Sequence, residues 1–369
     1  MRTIHRRKYE TYVQQGPQIA IFDIGTRAIR VLVGPKENIP SDWDSQIFFN
    51  SSVLTDLGGD IDSKNRLLPQ SRGLQKIISF MNDFIAAFQR DDVEVYAFGT
   101  AIFRWIENAT DVITYVERMT GVRIQILSQK QEAYMSCLAL CATRHILNPQ
   151  PDAKNNNHLL LIDQGGGSTE ISVLHIDDTG FLEHVQLHSF DDLGSIALRD
   201  RFLNVGTQQQ SQNSQKHFEE LQNLIADKIQ NWYDRQSNNP DGVKRIKNTA
   251  LLCYGMGSAL SNMFEDHNYV AHNQSVPIEK LQQHITQAKN DLLKDNLEMG
   301  EFQRQFEEMD TSTKKRFLYA CALNVHQNTL RVFGLQHIRM CGYGLRYGIF
   351  AYFVLFSEHH QNIDPELQI

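Results

Sequence analysis

Two stretches of the chain share one arrangement of apolar and polar positions. In residues 19–34 an apolar run leads into Asp-Ile-Gly-Thr and then into a second apolar run, and residues 159–174 repeat this plan around Asp-Gln-Gly-Gly-Gly-Ser-Thr. Apolar runs on both sides of a polar, glycine-containing turn are typical of β-hairpins. Because Asp-Gly turns are common, two unrelated hairpins are the alternative. The matched flanks favour a duplicated domain in which Asp23 and Asp163 are equivalent.

The segments around these hairpins alternate between helical and extended periodicity. The spacing of their apolar residues predicts helices over 67–90, 108–121 and 130–147, and strands over 93–100 and 122–128. The C-terminal third, residues 278–358, has a mostly helical pattern. Alternation of this kind predicts an α/β fold with a mainly parallel sheet covered by helices.

Length and composition set the number of domains and the broad class of protein. A chain of 369 residues favours two domains. We place them at 1–135 and 136–369, with the option that the last helix packs back on the first domain. Hydrophobic residues make up 41% and charged residues 21%, which excludes a disordered or collagen-like chain. The net charge of −7 argues against nucleic acid as a partner, although a small anionic substrate needs only a local cluster of donors.

The cysteines and the N-terminus bear on the compartment. Five scattered cysteines in mostly apolar runs predict buried free thiols, since metal ligation by Cys137 and Cys141 needs two further ligands nearby. The basic N-terminus lacks the apolar core of a secretory signal. No apolar run reaches the roughly 18 residues of a membrane span. We therefore expect a soluble, cytoplasmic protein with no membrane partner.

The Gly-Gly-Gly-Ser-Thr string at residues 165–169 is the strongest candidate for chemistry. Three glycines permit positive φ angles, which turn backbone N–H groups towards one point and form an anion site. Asp163 precedes the string at a strand end, where a carboxylate suits a hydrated Mg²⁺. The Lys-Ser/Thr of a Walker loop is missing. A plain flexible turn is the alternative.

Three weaker candidates lie outside this string. A loop at residues 253–260 carries Gly255 and Gly257 before a helical pattern, which suits a phosphate but equally a structural turn. Arg104 follows the strand-end residue Thr100 and suits bidentate phosphate binding, whereas a lone arginine is more often a surface ion-pair partner. Glu132 could activate water as a general base, although by itself it is typical of a solvated helix position.

In this order, these segments resemble the exopolyphosphatase / guanosine pentaphosphate phosphatase (Ppx/GppA) family. The resemblance runs from about residue 19 to 350 and is carried by FDIGTRA, GTAIFR with NATD, SQKQEA, DQGGGSTE and GLRYG. It implies two ribonuclease-H-like domains of the actin-like superfold with an active site in the cleft between them. The chain ends too early for the HD-like helical extension of longer family members. A homodimer is plausible from the family.

The resemblance also implies residue roles in a Mg²⁺-dependent hydrolysis of terminal phosphate from polyphosphate or guanosine pentaphosphate. Glu132 matches the general base, and Asp163 and Glu170 match metal- and water-orienting carboxylates. Asp23 faces them from the first domain and is, with Asp163, a candidate metal ligand. Arg104 matches a phosphate-binding arginine. The phosphate-binding candidates are Gly165, Gly166, Gly167, Ser168, Thr169, Thr26, Thr100, Gly255 and Gly257. Such chemistry relies on positioning and charge stabilisation.

Departures from the family pattern keep other functions open. They are Thr26, Arg27 and Ala28 for Ser-Asn-Ser, Gln129 and Gln131 for Gly and Glu, and Gln164 for an aliphatic residue. A sensor that binds such ligands without hydrolysis is the alternative, and a kinase of the same superfold is a further one. For the phosphohydrolase, we expect Glu132→Ala to abolish turnover while barely changing stability, because an exposed helix position contributes little to the fold.

Overall fold

The contacts within the chain divide it into two compact units. In this computed structural model, the structure describes residues 16–36, 47, 49–88, 93–147, 158–176, 182–204, 212–237, 251–261, 274–293, 295–354, 365–367 and 369. Unit 1 comprises Met1–Pro151 with Tyr343–Ile369, and unit 2 comprises Asp152–Gly342. The N-terminal segment 1–15 and the Gln- and Asn-rich segments 205–211 and 238–250 lie outside the described residues.

Unit 1 is a five-stranded sheet with helices. Its strands are β1 Gln18–Ile24, β2 Ala28–Pro35, β3 Phe49–Leu54, β4 Val93–Gly99 and β5 Ile124–Ile126. Its helices are α1 Arg72–Ala87, α2 Ala101–Trp105, α3 Ala109–Thr120, α4 Gln129–Leu147 and, near the C-terminus, α11 Leu345–Val354. The sheet order is β3-β2-β1-β4-β5, with β1–β2–β3 antiparallel and β4 and β5 parallel to β1.

Unit 2 repeats this plan. Its strands are β6 His158–Gln164, β7 Thr169–Ile176, β8 Leu182–Phe190, β9 Leu252–Met256, β10 Ser275–Pro277 and β11 His337–Met340. Its helices are α5 Ser195–Leu203, α6 Ser214–Ser237, α7 Ser258–Ser261, α8 Ile278–Leu292, α9 Met299–Glu308 and α10 Thr311–Phe333. The order β8-β7-β6-β9-β11 matches β3-β2-β1-β4-β5, and β10 extends the edge.

The equivalence of the two hairpins extends to their turns. The N–H of Gly25 donates to the carbonyl of Ala28, and the N–H of Gly165 donates to that of Ser168, both at 3.0 Å. In each unit the first strand is buried along most of its length, because it lies in the middle of the sheet with helices covering it. The duplication predicted from the two apolar patterns is thus present in topology and in turn geometry.

The last helix belongs to unit 1. α11 packs against α4, β1 and β2, and it approaches α4 so closely that a Cβ on Gly348 would lie 1.6 Å from the carbonyl oxygen of Met135. The domain boundary expected after residue 135 falls inside α4. The observed division instead follows the packing of whole elements, since α11 packs on β1 and β2 and α4 packs against α11.

The cysteines and the helices of the C-terminal third agree with the sequence analysis, whereas two short strands were not predicted. All five cysteines are buried thiols outside any disulfide, as predicted. Among the described residues, no helix is long and apolar enough to cross a membrane. The mostly helical C-terminal third is confirmed by α8 to α11, but the sequence missed β10 and β11. Those strands have only three and four residues, too few for a strand period to show.

Candidate functional site

The N-terminus of α4 holds Glu132 in place through a reciprocal cap. The N–H of Ser128 donates to Oε1 of Gln131 at 2.8 Å, and the N–H of Gln131 donates to Oγ of Ser128 at 3.2 Å. This is a capping box, in which glutamine serves as well as glutamate. The substitution of Gln131 for the family's glutamate therefore keeps the helix start. Glu132 lies in the first turn of this helix.

Glu132 forms a buried ion pair with Arg104 of α2. Nη1 of Arg104 donates to Oε2 of Glu132 at 2.8 Å and to the carbonyl of Leu127 at 2.9 Å. The two side chains are only 16% and 11% exposed. Nε and Nη2 of Arg104 are buried and have no hydrogen-bond partner within the described structure. Unpaired buried donors on a guanidinium are costly, and an anion with several oxygens would satisfy them.

This geometry corrects two expectations about the pair. As a whole residue, Glu132 is 8% exposed, so it is not the solvated helix residue that the sequence predicts. Arg104 does form an ion pair, but not at the surface. The correction has a physical reason: the strand end at Thr100 sends α2 across the start of α4, so a residue 28 positions earlier covers the carboxylate. This contact cannot be predicted from helix periodicity, because Arg104 and Glu132 lie on different helices.

Asp23 lies at the end of β1 among cations. It is 5% exposed, and Nη1 of Arg30, its cross-strand partner on β2, lies 3.3 Å from its Oδ2. Arg346 at the start of α11 is held by Oδ1 of Asn50 at 3.1 Å from Nη2. Burial lowers the pKa of Arg346, and the charge of Arg30 adds to this effect while that of Asp23 opposes it. Sequence reasoning missed Arg30 and Arg346, although GLRYG contained the second.

Two threonines predicted to bind phosphate lie at the same end of the unit 1 sheet. Thr26 is buried in the β1–β2 turn, and its carbonyl accepts the N–H of Gly58 at 3.1 Å. Thr100 is buried after β4, and its N–H donates to the carbonyl of Ile24 at 3.2 Å. Both backbones thus tie this turn to its neighbours, and the phosphate role of both residues stays a prediction.

The glycine loop of unit 2 presents its amide groups in one direction. The carbonyls of Gly165, Gly166 and Gly167 accept N–H groups from residues 194–197 at the start of α5, at 2.8–3.2 Å. In a trans peptide the N–H points opposite to the carbonyl. The following N–H groups, those of residues 166–168, therefore point away from α5, and within the described residues no acceptor is paired with them. Backbone N–H groups that point the same way suit an anion, and phosphate binding by this loop stays a prediction.

The backbone of the glycine string differs from the one expected. None of Gly165, Gly166 and Gly167 is among the described glycines with positive φ, so the positive φ angles expected there are not observed. Close approach requires a glycine at position 194, because a Cβ on Gly194 would lie 2.2 Å from the carbonyl carbon of Gly167. Sequence reasoning missed Gly194; the available signal was a glycine directly before a helix.

Gln164 and Thr169 support the loop from the sheet side. Nε2 of Gln164 donates to the carbonyls of Leu193 and Ala322, both at 3.2 Å, while its buried Oε1 has no partner within the described structure. Oγ1 of Thr169 donates to the carbonyl of Leu193 at 2.8 Å. Gln164 thus replaces apolar packing by hydrogen bonds. Because the Thr169 hydroxyl is engaged with the backbone, its side chain supports the loop in this structure.

Asp163 and Glu170 form a pair of carboxylates beside the loop. They are direct partners in the antiparallel register of β6 and β7, so their side chains share one face of the sheet. Glu170 is 2% exposed and accepts a hydrogen bond from Oγ of Ser189 at 2.8 Å. Like charges placed opposite each other are destabilising unless a cation lies between or near them.

The donors present fit the implied Mg²⁺. This ion is usually held by one or two carboxylates together with substrate phosphates and water, rather than by a cage of protein ligands. Among the described residues, no group of three potential metal ligands is present, and Mg²⁺ binding by Asp163 stays a prediction. Asp23 fits less well, because a guanidinium already contacts its carboxylate.

Gly255 and Gly257, the two glycines of the loop at residues 253–260, serve different structural purposes. Gly255 lies inside β9, where a Cβ would meet the side chains of Leu260 and Ile338 at 2.5 and 2.7 Å. Close packing against these two side chains accounts for a glycine at position 255. Gly257 follows β9 with a φ of 108°, and a Cβ there would lie 2.4 Å from the carbonyl oxygen of Gln164. Gly257 therefore allows the loop at residues 253–260 to contact Gln164 at the base of the glycine loop. Binding of phosphate by Gly255 or Gly257 stays a prediction.

The duplicated units define the class of the protein: the fold is the actin-like superfold, in which each unit carries a hairpin with a polar turn. The Ppx/GppA phosphatase family matches residues 42–355, and the chain belongs to this family. Exopolyphosphatase 1 of Mycobacterium tuberculosis is 27% identical over 159 residues, which are 42% of this chain and 42% of that protein. The counterpart in Mycobacterium leprae is 25% identical over a segment of the same length. The match thus spans less than half the length of these curated relatives.

Solved structures resemble the whole chain. The crystal structure of the Aquifex aeolicus Ppx/GppA family member has a TM-score of 0.62 at 17% identity, covering 94% of this chain and 99% of that one. An exopolyphosphatase from Cytophaga hutchinsonii has a TM-score of 0.63 at 16% identity, covering 91% and 97%. At these identities the likeness shows the fold, which confirms the predicted class.

Proposed function

We propose that the protein is a phosphohydrolase that releases terminal phosphate from inorganic polyphosphate or guanosine pentaphosphate. The observation that carries this proposal is the buried Arg104–Glu132 pair, in which two guanidinium donors have no partner within the described structure. Membership of the Ppx/GppA phosphatase family and the named exopolyphosphatase relatives support the same class of substrate.

On unit 1, Arg104 would bind phosphate oxygens through Nε and Nη2 while Nη1 keeps Glu132 oriented. Glu132 would accept a proton from the attacking water as general base, a role that contributes about 10²–10⁴-fold to rate. Phosphoryl transfer needs little covalent help from the protein, so position and charge carry most of the effect.

On unit 2, the N–H groups of residues 166–168 would bind phosphate oxygens. Asp163 and Glu170 would hold Mg²⁺, which when bound screens the charge on the phosphate chain. Ser189 keeps Glu170 oriented by its hydrogen bond. The placement of the two carboxylates opposite each other is then explained, because a cation relieves their mutual repulsion.

The test is release of phosphate from long-chain polyphosphate and from guanosine pentaphosphate with Mg²⁺. We expect release from at least one substrate to fall by 100-fold or more in Glu132→Gln, which keeps a hydrogen-bond acceptor for Arg104 but loses the base. The matched control is Glu117→Gln, which alters an exposed ion pair with Arg123 on the same unit.

The outcomes separate the substrate, the base and the reaction class. The faster of the two substrates identifies the preferred ligand class. Full activity of Glu132→Gln would remove Glu132 from its role while leaving a hydrolase. A folded wild-type protein that binds polyphosphate but releases no phosphate from either substrate would be a sensor, and the proposed hydrolysis would be wrong.

A further inference from the structure

The side chain of Asn108 joins the segment between α2 and α3 to an earlier loop of unit 1. The N–H of Leu67, 41 positions earlier, donates to Oδ1 of Asn108 at 3.0 Å, and Nδ2 of Asn108 donates back to the carbonyl of Leu67 at 3.0 Å. Beside this pair, the N–H of Glu107 donates to the carbonyl of Asn65 at 2.8 Å. Three hydrogen bonds therefore hold this junction against the loop at residues 61–67.

The way in which the Asn108 side chain is used is unusual for its position. Asn108 is the N-cap residue of α3. An asparagine at an N-cap commonly accepts a hydrogen bond from a backbone N–H in the first turn of its own helix. The side chain of Asn108 makes no such bond, and it bonds instead to both polar backbone atoms of Leu67. The amide is therefore committed to the contact with the loop rather than to the start of α3.

The loop at residues 61–67 is closed by its own side chains. Its two ends pair as an antiparallel bridge, and Leu67 is fully buried in the core of unit 1. Oδ1 of Asp62 accepts the N–H groups of Lys64 and Arg66 at 2.8 and 2.9 Å. Oδ2 of Asp62 accepts Nε and Nη2 of Arg66 at 3.2 and 3.1 Å. Because the loop is cross-linked in this way, it provides a defined support for the junction that Asn108 joins to it.

The helix α2 carries Arg104 but is too short to hold it without support. It has five residues, and isolated helices shorter than about 12 residues are marginal in water. At its start, the N–H of Thr100 donates to the carbonyl of Ile24 at 3.2 Å. At its end, the support comes from the hydrogen bonds of Asn108, which follows Arg104 by four positions. These bonds therefore fix the end of the helix from which the guanidinium extends.

The contacts of Arg104 depend on the exact position of α2. Nη1 donates both to Oε2 of Glu132 at 2.8 Å and to the carbonyl of Leu127 at 2.9 Å, and both acceptors lie outside α2. A displacement of α2 by about 1 Å would take this nitrogen out of hydrogen-bond range of both acceptors. At an active site, a misplacement of this size can reduce the rate about 100-fold.

We propose that Asn108 is a positioning residue for Arg104. Through its two hydrogen bonds to Leu67, Asn108 holds the end of α2 so that the Arg104 guanidinium stays aligned with Glu132. Asn108 acts through the backbone and takes no part in the chemistry. Its effect on turnover rests on the proposed function, whereas its effect on the geometry of the ion pair does not.

The first experiment observes the guanidinium of Arg104 by nuclear magnetic resonance of protein labelled with ¹⁵N-arginine. Arg104→Lys identifies the Arg104 signals by their loss. Since Nη1 makes two hydrogen bonds in a mostly buried ion pair, rotation of this group is slow, and we expect resolved Nη–H signals in the wild-type protein. These signals should merge or broaden in Asn108→Ala. Resolved signals in folded Asn108→Ala would overturn the proposal.

Two further variants make this measurement specific. Thr120→Ala is the matched control, because Oγ1 of Thr120 donates to the carbonyl of Val116 at 2.8 Å at the opposite end of α3. It should leave the Arg104 signals resolved. Asn108→Asp keeps the acceptor for the N–H of Leu67 but loses the donor to its carbonyl. This milder variant provides the same test if the alanine variant does not fold, and resolved signals in it would then contradict the positioning role.

The second experiment measures phosphate release from the substrate that the wild-type protein prefers. Because Arg104 would bind the substrate as well as orient Glu132, Asn108→Ala should raise KM by about tenfold or more and also lower kcat. A purely structural residue would only reduce the number of folded molecules, which lowers the apparent kcat at unchanged KM, and this outcome would overturn the proposal. Thr120→Ala should leave KM unchanged. A wild-type protein that releases no phosphate would refute the proposed hydrolysis, and the guanidinium signals would still decide the role of Asn108.

Discussion

Glu132 is embedded in the fold as well as in the proposed chemistry. Its truncation would remove the acceptor at 2.8 Å from Arg104 and leave that guanidinium with only the carbonyl of Leu127 among its described acceptors. Breaking a mostly buried ion pair from one side is destabilising because the remaining charge stays desolvated. The expectation that Glu132 is exposed and contributes little to stability therefore does not fit its burial.

We accordingly predict that Glu132→Ala lowers the free energy of unfolding by about 2–4 kcal/mol. Urea unfolding followed by circular dichroism measures this change. Glu117→Ala is the control, because Glu117 and Arg123 are 41% and 75% exposed and 3.6 Å apart. Such a surface pair contributes at most about 1 kcal/mol. Equal stability losses in the two variants would mean that the Arg104 pair is not buried.

His326 in α10 gives unit 2 a defined response to acid. It is fully buried, and its Nδ1 lies 3.4 Å from the carbonyl of Ala322. Burial lowers the pKa of His326 from 6.5 to about 4. The unfolded chain therefore binds a proton as the pH falls below 6.5, whereas the folded chain does not until about pH 4.

We predict that stability due to neutral His326 is intact above pH 6.5 and is lost as the pH falls towards 4, by up to about 3 kcal/mol. His326→Leu should make the pH dependence of the urea midpoint shallower over this range, measured against wild type and His337→Leu. An unchanged pH profile in the His326 variant would show that this ring titrates alike in the folded and unfolded chain.

At the scale of elements, α11 depends on one glycine. A Cβ on Gly348 would lie 1.6 Å from the carbonyl oxygen of Met135 and 3.1 Å from the N–H nitrogen of Ala139, both in the backbone of α4. Backbone atoms of a helix cannot move aside as a flexible side chain does. The two helices can keep this contact only if residue 348 has no side chain.

Gly348→Ala should therefore cost at least about 3 kcal/mol of unfolding free energy or prevent folding of unit 1. Gly344→Ala is a matched control four positions earlier, because a Cβ there meets nothing within 4 Å. We expect it to change stability by less than about 0.5 kcal/mol. Thermal unfolding of both variants measures the difference. Comparable Tm values would contradict the close contact between α4 and α11.

The sequence predicted features that lie within one segment and missed contacts between elements. The paired hairpins follow from local patterns, because alternation and turn residues are read within one segment. The burial of Glu132 depends on Arg104 from another element. Likewise, the glycine loop was found from its composition, but its amide direction comes from hydrogen bonds to α5. Contacts between elements are absent from a single sequence's periodicity.

At the scale of the whole molecule, the chain passes from unit 1 to unit 2 and back again. Unit 1 is completed by Tyr343–Ile369, whose helix α11 buries Ile349, Phe350 and Ala351. The sequence placed these residues in the second domain but kept the option that the last helix packs back on the first. Sequence order alone could not decide between the two, because it does not show which sheet a helix covers.

Removal of residues 343–369 should therefore unfold unit 1 and spare unit 2. Without α11, the buried strands β1 and β2 lose a covering helix, so their amide protons should exchange as fast as in an unfolded chain. Those of β6 and β7 should stay protected, and hydrogen-exchange mass spectrometry distinguishes the two sheets. Removal of residues 365–369 alone should leave both protected, because α11 remains. Loss of protection in β6 and β7 instead would return the C-terminal helix to the second domain.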